Sequence, residues 1–216
     1  ETDPVGYLTF NAADAADTKF GLPMEQAAVL STSVDSVASG VVTVSVDASA
    51  ASDSHYLQFS DGALAGQWFQ VSASNATSIT VAEDLEALGA AASDTFRVIP
   101  FWTLSTLFGT DFPVSTNVFS ADAQVLLNDV SGVGLNKAPN ANYAYHDGSS
   151  GFVAAGWFNV NNAFGGSAND EPLAPNTFIT IRNQSGSDYN LILAGVVPTL
   201  PLSVGVVGDP SNVNDN

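Results

Sequence analysis

Residues 94–109 read DTFRVIPFWTLSTLFG and form the densest apolar stretch of the sequence. The stretch begins as a predicted β-strand, in which Phe96 and Val98 point to one face and the residues alternating with them point to the other. Pro100 ends this strand, because proline has no N–H group to donate to a neighbouring strand. Apolar residues at helix-like spacing then run up to Gly109, a predicted helix C-cap. We therefore expect the core to pack around this segment.

The rest of the sequence consists mostly of short runs of β-branched and aromatic residues, spaced about 10–15 residues apart. The clearest run is 41–46, where Val42, Val44 and Val46 share a face. Residues 83–92 are the best helix candidate, with acidic side chains in the first turn, as the helix dipole prefers. This pattern predicts an all-β fold, namely an antiparallel β-sandwich or barrel-like domain with one or two short helical turns.

Two neighbouring runs, 55–59 and 67–71, make a prediction about sheet faces. They place Leu57 and Phe59 on the inner face, and Tyr56 and Trp68 on the opposite face. Residues 11–21 are small and polar, so we expect a loop there. The further predicted strands are 5–10, 27–34, 78–82, 123–127, 143–145, 152–160, 176–182, 189–194 and 202–207.

The chain of 216 residues is long enough to bury a substantial core. We expect a single β-rich domain over residues 1–216, with two packed lobes divided near 110–122 as the alternative. Residues 1–11 and 202–216 are predicted to be strands or tails that contact other subunits. The first residue is Glu1, which favours a mature form left after signal-peptide removal and hence an extracellular or cell-surface location.

The charge balance is strongly acidic, with 22 acidic and 4 basic residues and a formal net charge of −18. Such a field repels phosphate groups and anionic lipid surfaces, so we expect no nucleic-acid partner. No apolar run approaches the ~20 residues of a transmembrane helix, so we expect no membrane insertion. The sequence has no cysteine, which excludes disulfides, thiol catalysis and cysteine metal sites.

Four stretches are distinctive in combination, namely DPVGYLTF at 3–10, YLQFSDGALAGQWFQV at 56–71, VIPFWTLSTLFG at 98–109 and LAPNTFITIRN at 173–183. Together they resemble an uncharacterised family of secreted β-rich bacterial proteins of Verrucomicrobia-like genomes. In sequence order the likeness covers most of residues 3–200, and 98–109 is its most specific part. The resemblance implies an exported β-rich protein and assigns no catalytic residue.

One short segment, His146–Asp147–Gly148–Ser149, offers a base, an acid and a nucleophile in sequence. A catalytic triad is defined in space, and adjacent residues rarely reach its geometry, whereas Asp-Gly-Ser is a turn signal. Metalloprotease, nucleophile-elbow and phosphate-loop motifs are absent from the sequence. We therefore expect no enzymatic activity, with a secreted hydrolase that uses paired carboxylates as a minor alternative.

Calcium is the ion that acidic loops would favour, because it binds carboxylate and carbonyl oxygens. None of the acidic residues shows the regular spacing of a calcium loop, and the interpretation requires no cofactor. The candidate calcium ligands are Asp14, Asp17, Asp61, Asp170 and Asp209.

Three aromatic residues on predicted strands, Tyr56, Trp68 and Trp157, could stack on sugars, although aromatics at strand spacing also fill cores and interfaces. Two of the four basic residues, Arg97 and Arg182, also lie on predicted strands. In so acidic a chain we expect both to pair with carboxylates at structural positions.

These observations favour a secreted structural protein, a subunit of an extracellular filament, sheath or surface layer that polymerises with itself. A terminal strand, 5–10 or 202–207, would add to a neighbour's sheet and satisfy an exposed edge. The alternative is an extracellular carbohydrate-binding or adhesin module with a polysaccharide as partner. Besides the three aromatics, the predicted interface residues are Val5, Tyr7, Leu8, Phe10, Val204 and Val206.

Overall fold

The computed structural model describes residues 3–128, 138–149, 151, 153–200 and 202–203. Its strands are Val5–Ala12 (β1), Ala16–Gly21 (β2), Leu30–Ser33 (β3), Ser36–Ala38 (β4), Val41–Thr43 (β5), His55–Phe59 (β6), Trp68–Asn75 (β7), Ser78–Val81 (β8), Thr95–Pro100 (β9), Trp102–Thr103 (β10), Val114–Ser115 (β11), Ala123–Asn128 (β12), Pro139–His146 (β13), Gly156–Asn159 (β14), Pro172–Leu173 (β15), Phe178–Asn183 (β16) and Tyr189–Val196 (β17). Its helices are Leu85–Leu88 (α1), Leu104–Phe108 (α2) and a 3₁₀ turn at Val160–Asn162. The predicted all-β class with short helical turns is confirmed.

The chain forms two compact units and passes between them more than once, for example after Phe101. At that point Pro100 ends β9 and the chain enters α2 almost at once. The expectation of a single domain over residues 1–216, with two lobes divided near 110–122 as the alternative, stays a prediction. Unit 1 contains the described residues of Glu1–Gly6, Met24–Phe101 and Gly195–Val204, and unit 2 those of Tyr7–Pro23, Trp102–Ala194 and Gly205–Asn216.

Unit 1 is a curled antiparallel sheet with the strand order β3-β9-β6-β7-β8-β5-β4. Its two end strands, β3 and β4, follow each other in the chain, separated only by Val34 and Asp35. The Val34 N–H donates to the Asp94 carbonyl at 2.8 Å, and the Asp35 N–H donates to the Thr43 carbonyl at 2.9 Å. One extended segment therefore borders both ends of the sheet, and the sheet curls until its ends meet there.

The two faces of this sheet bury different clusters, as the alternation predicted. Leu57 and Phe59 are fully buried on the inner face, in one cluster with Phe96 and Val71. The opposite face carries a smaller cluster formed by Tyr56, Ile99 and Phe101, with Trp68 packed against it. β6 is buried on both faces, with Leu57 and Phe59 on the inner face and Tyr56 and the buried Gln58 on the other.

Three local predictions for strand and helix bounds are wrong. Residues 11–21 are not a loop, because β1 continues to Ala12 and β2 pairs with β16 from Ala16 to Gly21. β5 ends at Thr43, and Val46 beyond it is exposed. α1 is much shorter than 83–92, because Gly89 adopts a left-handed conformation with φ 105° and caps it.

Unit 2 contains a sheet in the order β11-β13-β12-β16-β2, with β14 also paired to β13. All these pairings are antiparallel except that of β11 with β13. Ile179 and Ile181 of β16 are fully buried on one face, within the predicted strand 176–182. The pairs β10–β15 and β1–β17 form two further two-stranded sheets.

Helix α2 is the predicted continuation of the 94–109 stretch. Thr103 and Thr106 form a capping box at its start, in which each side chain bonds the backbone of the other. Gly109 ends the helix at a φ of 61°, so the predicted C-cap is confirmed. No helix in the described ranges is long and apolar enough to span a membrane.

An aromatic cluster forms the core beneath α2. The ring of Trp157 lies 5.3 Å from that of Phe108 and 4.8 Å from that of Phe112, measured between centroids. Phe112 in turn lies 5.2 Å from Tyr189 of β17. The 94–109 stretch was predicted to be a segment around which the core packs. Its strand contributes Phe96 and Val98 to the core of unit 1, and its helix packs on the core of unit 2.

Candidate functional site

The first candidate surface is the part of the β1–β17 sheet that lies in unit 2, residues 7–12 and 189–194, which we call the ribbon. In the described part of the chain, β1 pairs with β17 and with no other strand. Neither strand contains a charged residue, since their sequences are VGYLTFNA and YNLILAGV. In a chain with a net charge of −18, the ribbon is therefore an uncharged surface element.

The outward face of the ribbon is apolar and open. A hydrogen bond of 3.0 Å from Asn11 Nδ2 to Asn190 Oδ1 places these two side chains on one face. By strand alternation, Tyr7 lies on the same face as Asn11, and Ile192 lies on the same face as Asn190. Tyr7 is 75% exposed and Ile192 66% exposed. A pair of strands thus presents two large apolar side chains to solvent.

The predicted interface residues of β1 do not all have the same role. Val5, Tyr7 and Leu8 are exposed, as an interface would require. Phe10 is half-buried, and its ring stacks on Phe20 at 4.6 Å, so it serves the fold of unit 2. Val204, Val206 and most of the predicted strand 202–207 lie outside the described residues.

The second candidate surface is a pocket of about 190 Å³ in unit 2, which we call the Phe164 pocket. The described residues that line it are uncharged, among them Val153, Ala155, Trp157, Ala163, Phe164 and Ser167. Phe164 is 65% exposed, and its ring lies 6.1 Å from that of Phe119, which is 74% exposed. Two exposed aromatic rings thus stand together beside an apolar depression.

Hydrogen bonds to Trp157 hold the loop that carries Phe164. The Ala168 N–H donates to the Trp157 carbonyl at 2.8 Å, and the Trp157 N–H donates to Asn169 Oδ1 at 2.8 Å. A side chain at Gly156 would lie 2.7 Å from that Asn169 oxygen, so the close approach requires glycine. The Ser105 N–H of α2 donates to the Asn169 carbonyl at 3.1 Å, which ties the loop to the 94–109 stretch.

Phe119 and Phe164 were not among the residues predicted from the sequence. Phe164 lies within a Gly- and Asn-rich segment, where a lone aromatic residue has no strand or helix period to mark it. An apolar residue isolated among polar loop residues was the available signal. Whether such a residue is buried or exposed depends on contacts that the local sequence does not contain.

A buried ion pair lies on the outer face of the unit 1 sheet. Arg97 Nη2 donates to Glu25 Oε2 at 2.9 Å and to Gln58 Oε1 at 2.6 Å, and all three side chains are buried or nearly so. Burial raises the pKa of Glu25, and the attraction of Arg97 offsets this only in part. The predicted structural pairing of Arg97 with a carboxylate is confirmed.

The predicted pairing of Arg182 is also confirmed, but at the surface. Arg182 Nε and Nη2 donate to the two carboxylate oxygens of Asp17 at 2.9 and 2.8 Å. This hydrogen bond holds the pKa of Asp17 below its ordinary value. Both side chains are more than two-fifths exposed, so solvent screens the pair.

Among the described residues, no three His, Cys, Asp or Glu side chains group as for a metal, and each candidate calcium ligand has its own surroundings. Asp14 accepts from the Gly186 N–H, and Asp61 accepts from the Thr95 N–H and hydroxyl. Asp17 is bound to Arg182, and Asp170 is exposed. Asp209 lies outside the described residues.

The sugar-stacking expectation is wrong for two of its three residues. Tyr56 and Trp157 are 3% and 1% exposed, because each packs among other aromatic rings in its own unit. Trp68 is half-buried, and its ring meets those of Tyr56 and Phe101 edge-on. These residues fill cores, which was the alternative interpretation of their spacing.

The His146 segment is a turn rather than a triad. His146 is fully buried, and its Nδ1 atom accepts from the Gly148 N–H at 2.7 Å. The Asp147 carboxylate accepts from the Ser149 N–H at 2.8 Å, which is the bonding of an Asx turn. The Nδ1 atom of the imidazole is thus engaged by the turn, and the Asp147 carboxylate bonds the Ser149 backbone.

The fold and these surfaces define an all-β protein with an uncharged strand pair and an aromatic-rimmed pocket in an otherwise acidic chain. Comparison with protein-family models, with curated proteins and with solved structures finds no match for this chain. The resemblance to secreted bacterial proteins therefore stays a prediction, and function is argued from the two surfaces.

Proposed function

We propose that this protein is a secreted structural protein, the subunit of an extracellular filament, sheath or surface layer that polymerises through β-strand contacts. The observation that carries the proposal is the ribbon, residues 7–12 and 189–194, which pairs with no further strand in the described residues and whose outward face exposes Tyr7 and Ile192. An apolar strand pair left open in this way is a template for contact with another chain.

Soluble proteins normally protect such strands, and β1 lacks the usual protection. Lysine, inward-pointing charges, proline and short length all discourage edge contacts. β1 is 8 residues long and contains neither proline nor a charged residue. The absence of these features supports a strand that is kept open for a partner.

The charge of the chain limits where two copies can meet. Copies with a net charge of −18 repel each other, and salt screens this repulsion only beyond about 8 Å at physiological ionic strength. Contact is least opposed where neither surface carries charge, as at the ribbon.

We therefore expect assembly to weaken at low ionic strength. The proposal includes calcium ions that bridge neighbouring copies. Removing calcium with a chelator, and measuring assembly again, tests this part of the proposal.

The ribbon is tested by the double variant Tyr7→Ser/Ile192→Ser. Each substitution removes about 1.5–3 kcal/mol of apolar burial from a contact, and 1.4 kcal/mol corresponds to a tenfold change in affinity. We therefore expect at least a tenfold rise in the protein concentration needed for assembly. Light scattering and negative-stain microscopy provide the measurement. Both are done at about 0.15 M salt, where the electrostatic screening length is about 8 Å.

The matched control is Leu88→Ser, which removes an apolar side chain that is 49% exposed on α1 of unit 1 and does not belong to the ribbon. We expect it to assemble like the wild type. Circular dichroism must show that all variants are folded. Wild-type chains that stay monomeric at every concentration, salt and calcium level would contradict the proposal. Deleting β1 is a weaker test, because it also removes the strand partner of β17 and the Phe10–Phe20 stack.

A further inference from the structure

We propose that the Phe164 pocket is the surface that receives the ribbon of a second copy, with the Tyr7 side chain of that copy seated in the pocket. The inference rests on the proposed function and specifies its contact. It assigns a role to an aromatic surface that neither the fold nor the ribbon explains.

Symmetry requires two different surfaces for a polymer. If the ribbon of one copy met the ribbon of another, the same patch would be used on both sides and the contact would close as a dimer. Growth into a filament or layer needs a heterologous contact, in which one surface of a copy meets a different surface of the next. The ribbon and the Phe164 pocket have no residue in common, so a single chain can use both at once.

The Phe164 pocket combines a concave apolar surface with two exposed aromatic rings. Apart from Tyr7, Phe119 is the most exposed large apolar side chain in the described residues, and Phe164 is close behind it. The rings of Phe119 and Phe164 lie against each other. Phe178, the next exposed aromatic residue, lies on β16 opposite Gly21 of β2. An exposed aromatic pair beside a concave apolar surface marks a contact site for another molecule.

The pocket has the size and chemistry for a tyrosine ring. An apolar cavity of about 150 Å³ accommodates benzene, and this pocket has a volume of about 190 Å³. Phe164 and Phe119 offer ring faces and edges to an incoming aromatic ring. Ser167 supplies a hydroxyl within the lining, which gives the tyrosine O–H a polar neighbour.

The charge of the chain points to a second copy as the occupant. The described lining residues carry no charge, so they offer nothing to attract an ionic ligand. Tyr7 and its neighbours on β1 are uncharged as well, so the two surfaces bring no like charges into contact. An aromatic side chain, 75% exposed on an uncharged strand of the same protein, is the complementary group that this structure supplies.

The test compares the pocket variant Phe119→Ser/Phe164→Ser with the control Phe178→Ser, which removes an aromatic side chain 57% exposed elsewhere in unit 2. Both substituted rings of the pocket variant are mostly exposed, so we expect it to fold normally by circular dichroism. We expect the concentration needed for assembly to rise at least tenfold in the pocket variant and to stay unchanged in the control.

Mixing the two defective proteins then decides whether the surfaces meet each other. The ribbon variant Tyr7→Ser/Ile192→Ser keeps its pocket, and the pocket variant keeps its ribbon. We expect an equimolar mixture to form pairs of twice the chain mass, because one functional contact is possible per pair and neither end can grow. Analytical ultracentrifugation of the mixture and of each variant alone gives the readout.

Any other outcome contradicts the inference. Two of these outcomes distinguish failure of the proposed function from failure of the pocket contact alone. If the wild type never assembles, the proposed function fails and this inference fails with it. If the wild type assembles but the pocket variant assembles equally well, or the mixture stays monomeric, only the pocket contact is refuted. Binding of a soluble polysaccharide by wild-type monomers, lost in the pocket variant, would replace the second copy by a glycan as occupant.

Discussion

Replacing Arg97 with methionine is expected to lower the free energy of unfolding by about 3–5 kcal/mol, as removal of one partner from a buried ion pair does. The substitution leaves Glu25 buried without its cation and leaves the Gln58 carbonyl oxygen without its donor. Removal from water still costs the Glu25 carboxylate and the Gln58 carbonyl free energy, but the hydrogen bond that offset this cost is gone. Urea unfolding, followed by tryptophan fluorescence, measures the loss.

A surface pair and a double variant control this prediction. Arg182→Met breaks the exposed pair with Asp17 and is expected to cost about 1 kcal/mol or less. The double variant Arg97→Met/Glu25→Leu removes both buried charges, and we expect it to regain most of the lost stability. If Arg97→Met and Arg182→Met lowered the free energy of unfolding equally, burial would not determine how much the Arg97–Glu25 pair stabilises the protein.

The same pair gives a pH dependence with a definite sign. The pKa of folded Glu25 is raised above 4.5, the ordinary value of the side chain, because burial disfavours its charged form. The folded state therefore holds this proton at pH values where the unfolded state has released it. The contribution of the protonated Glu25 is complete below pH 4.5 and is lost as pH rises through the folded pKa.

Glu25→Gln isolates this effect, because glutamine does not titrate. We expect the unfolding free energy of the wild type, relative to that of Glu25→Gln, to fall as pH rises from about 4 to about 7. Carboxylates with lowered pKa values, such as Asp17, act in the opposite direction but are present in both proteins. A relative stability that rises over this range would mean that the Arg97 charge outweighs burial at Glu25.

Replacing Trp157 with alanine is the second large expected effect, a loss of about 3–5 kcal/mol, as truncation of a buried tryptophan typically gives. Trp157 is 1% exposed, and its ring lies near those of Phe108, Phe112 and Tyr145. Alanine would leave a cavity among these rings and remove a wall of the Phe164 pocket. Calorimetry and near-ultraviolet circular dichroism measure the loss of stability and of aromatic packing.

Trp157→Phe is the matched control for this prediction. It keeps an aromatic ring in place and removes an indole N–H that is buried without a hydrogen-bond partner in the described structure. We therefore expect a loss well below that of the alanine variant, near the ~1.5 kcal/mol limit typical of well-tolerated hydrophobic replacements. If both variants lost the same stability, ring packing would not be the source of the effect.

The elements that could be predicted are those whose pattern is complete within a few residues. The alternation in 55–59 and 67–71 gave the correct faces of two strands, with Leu57 and Phe59 on the inner face and Tyr56 and Trp68 on the other. The β-strand before Pro100 and the capped helix before Gly109 follow from backbone chemistry alone. β2 was missed because its polar residues become a strand only through pairing with β16, where Asp17 lies opposite Arg182.

The candidate surfaces were predictable only in part. The strand that contains Tyr7 and Leu8 was identified as an interface from its apolar composition, and these residues are exposed in the structure. By the same reasoning Trp157 was a candidate for sugar binding, yet it lies at the centre of an aromatic core. Composition cannot distinguish these two cases, because an apolar side chain at strand spacing suits a core and an interface equally well.

The sequence by itself determined the all-β class, the strong negative charge, the absence of cysteine chemistry and the strand-to-helix core segment at 94–109. Each of these depends on composition or on near neighbours along the chain. Only the tertiary structure decided that β1 and β17 pair with each other, that Glu25 meets Arg97, and that Phe119 meets Phe164. These contacts join residues far apart in sequence, and the burial of each side chain depends on which distant segment the fold brings against it.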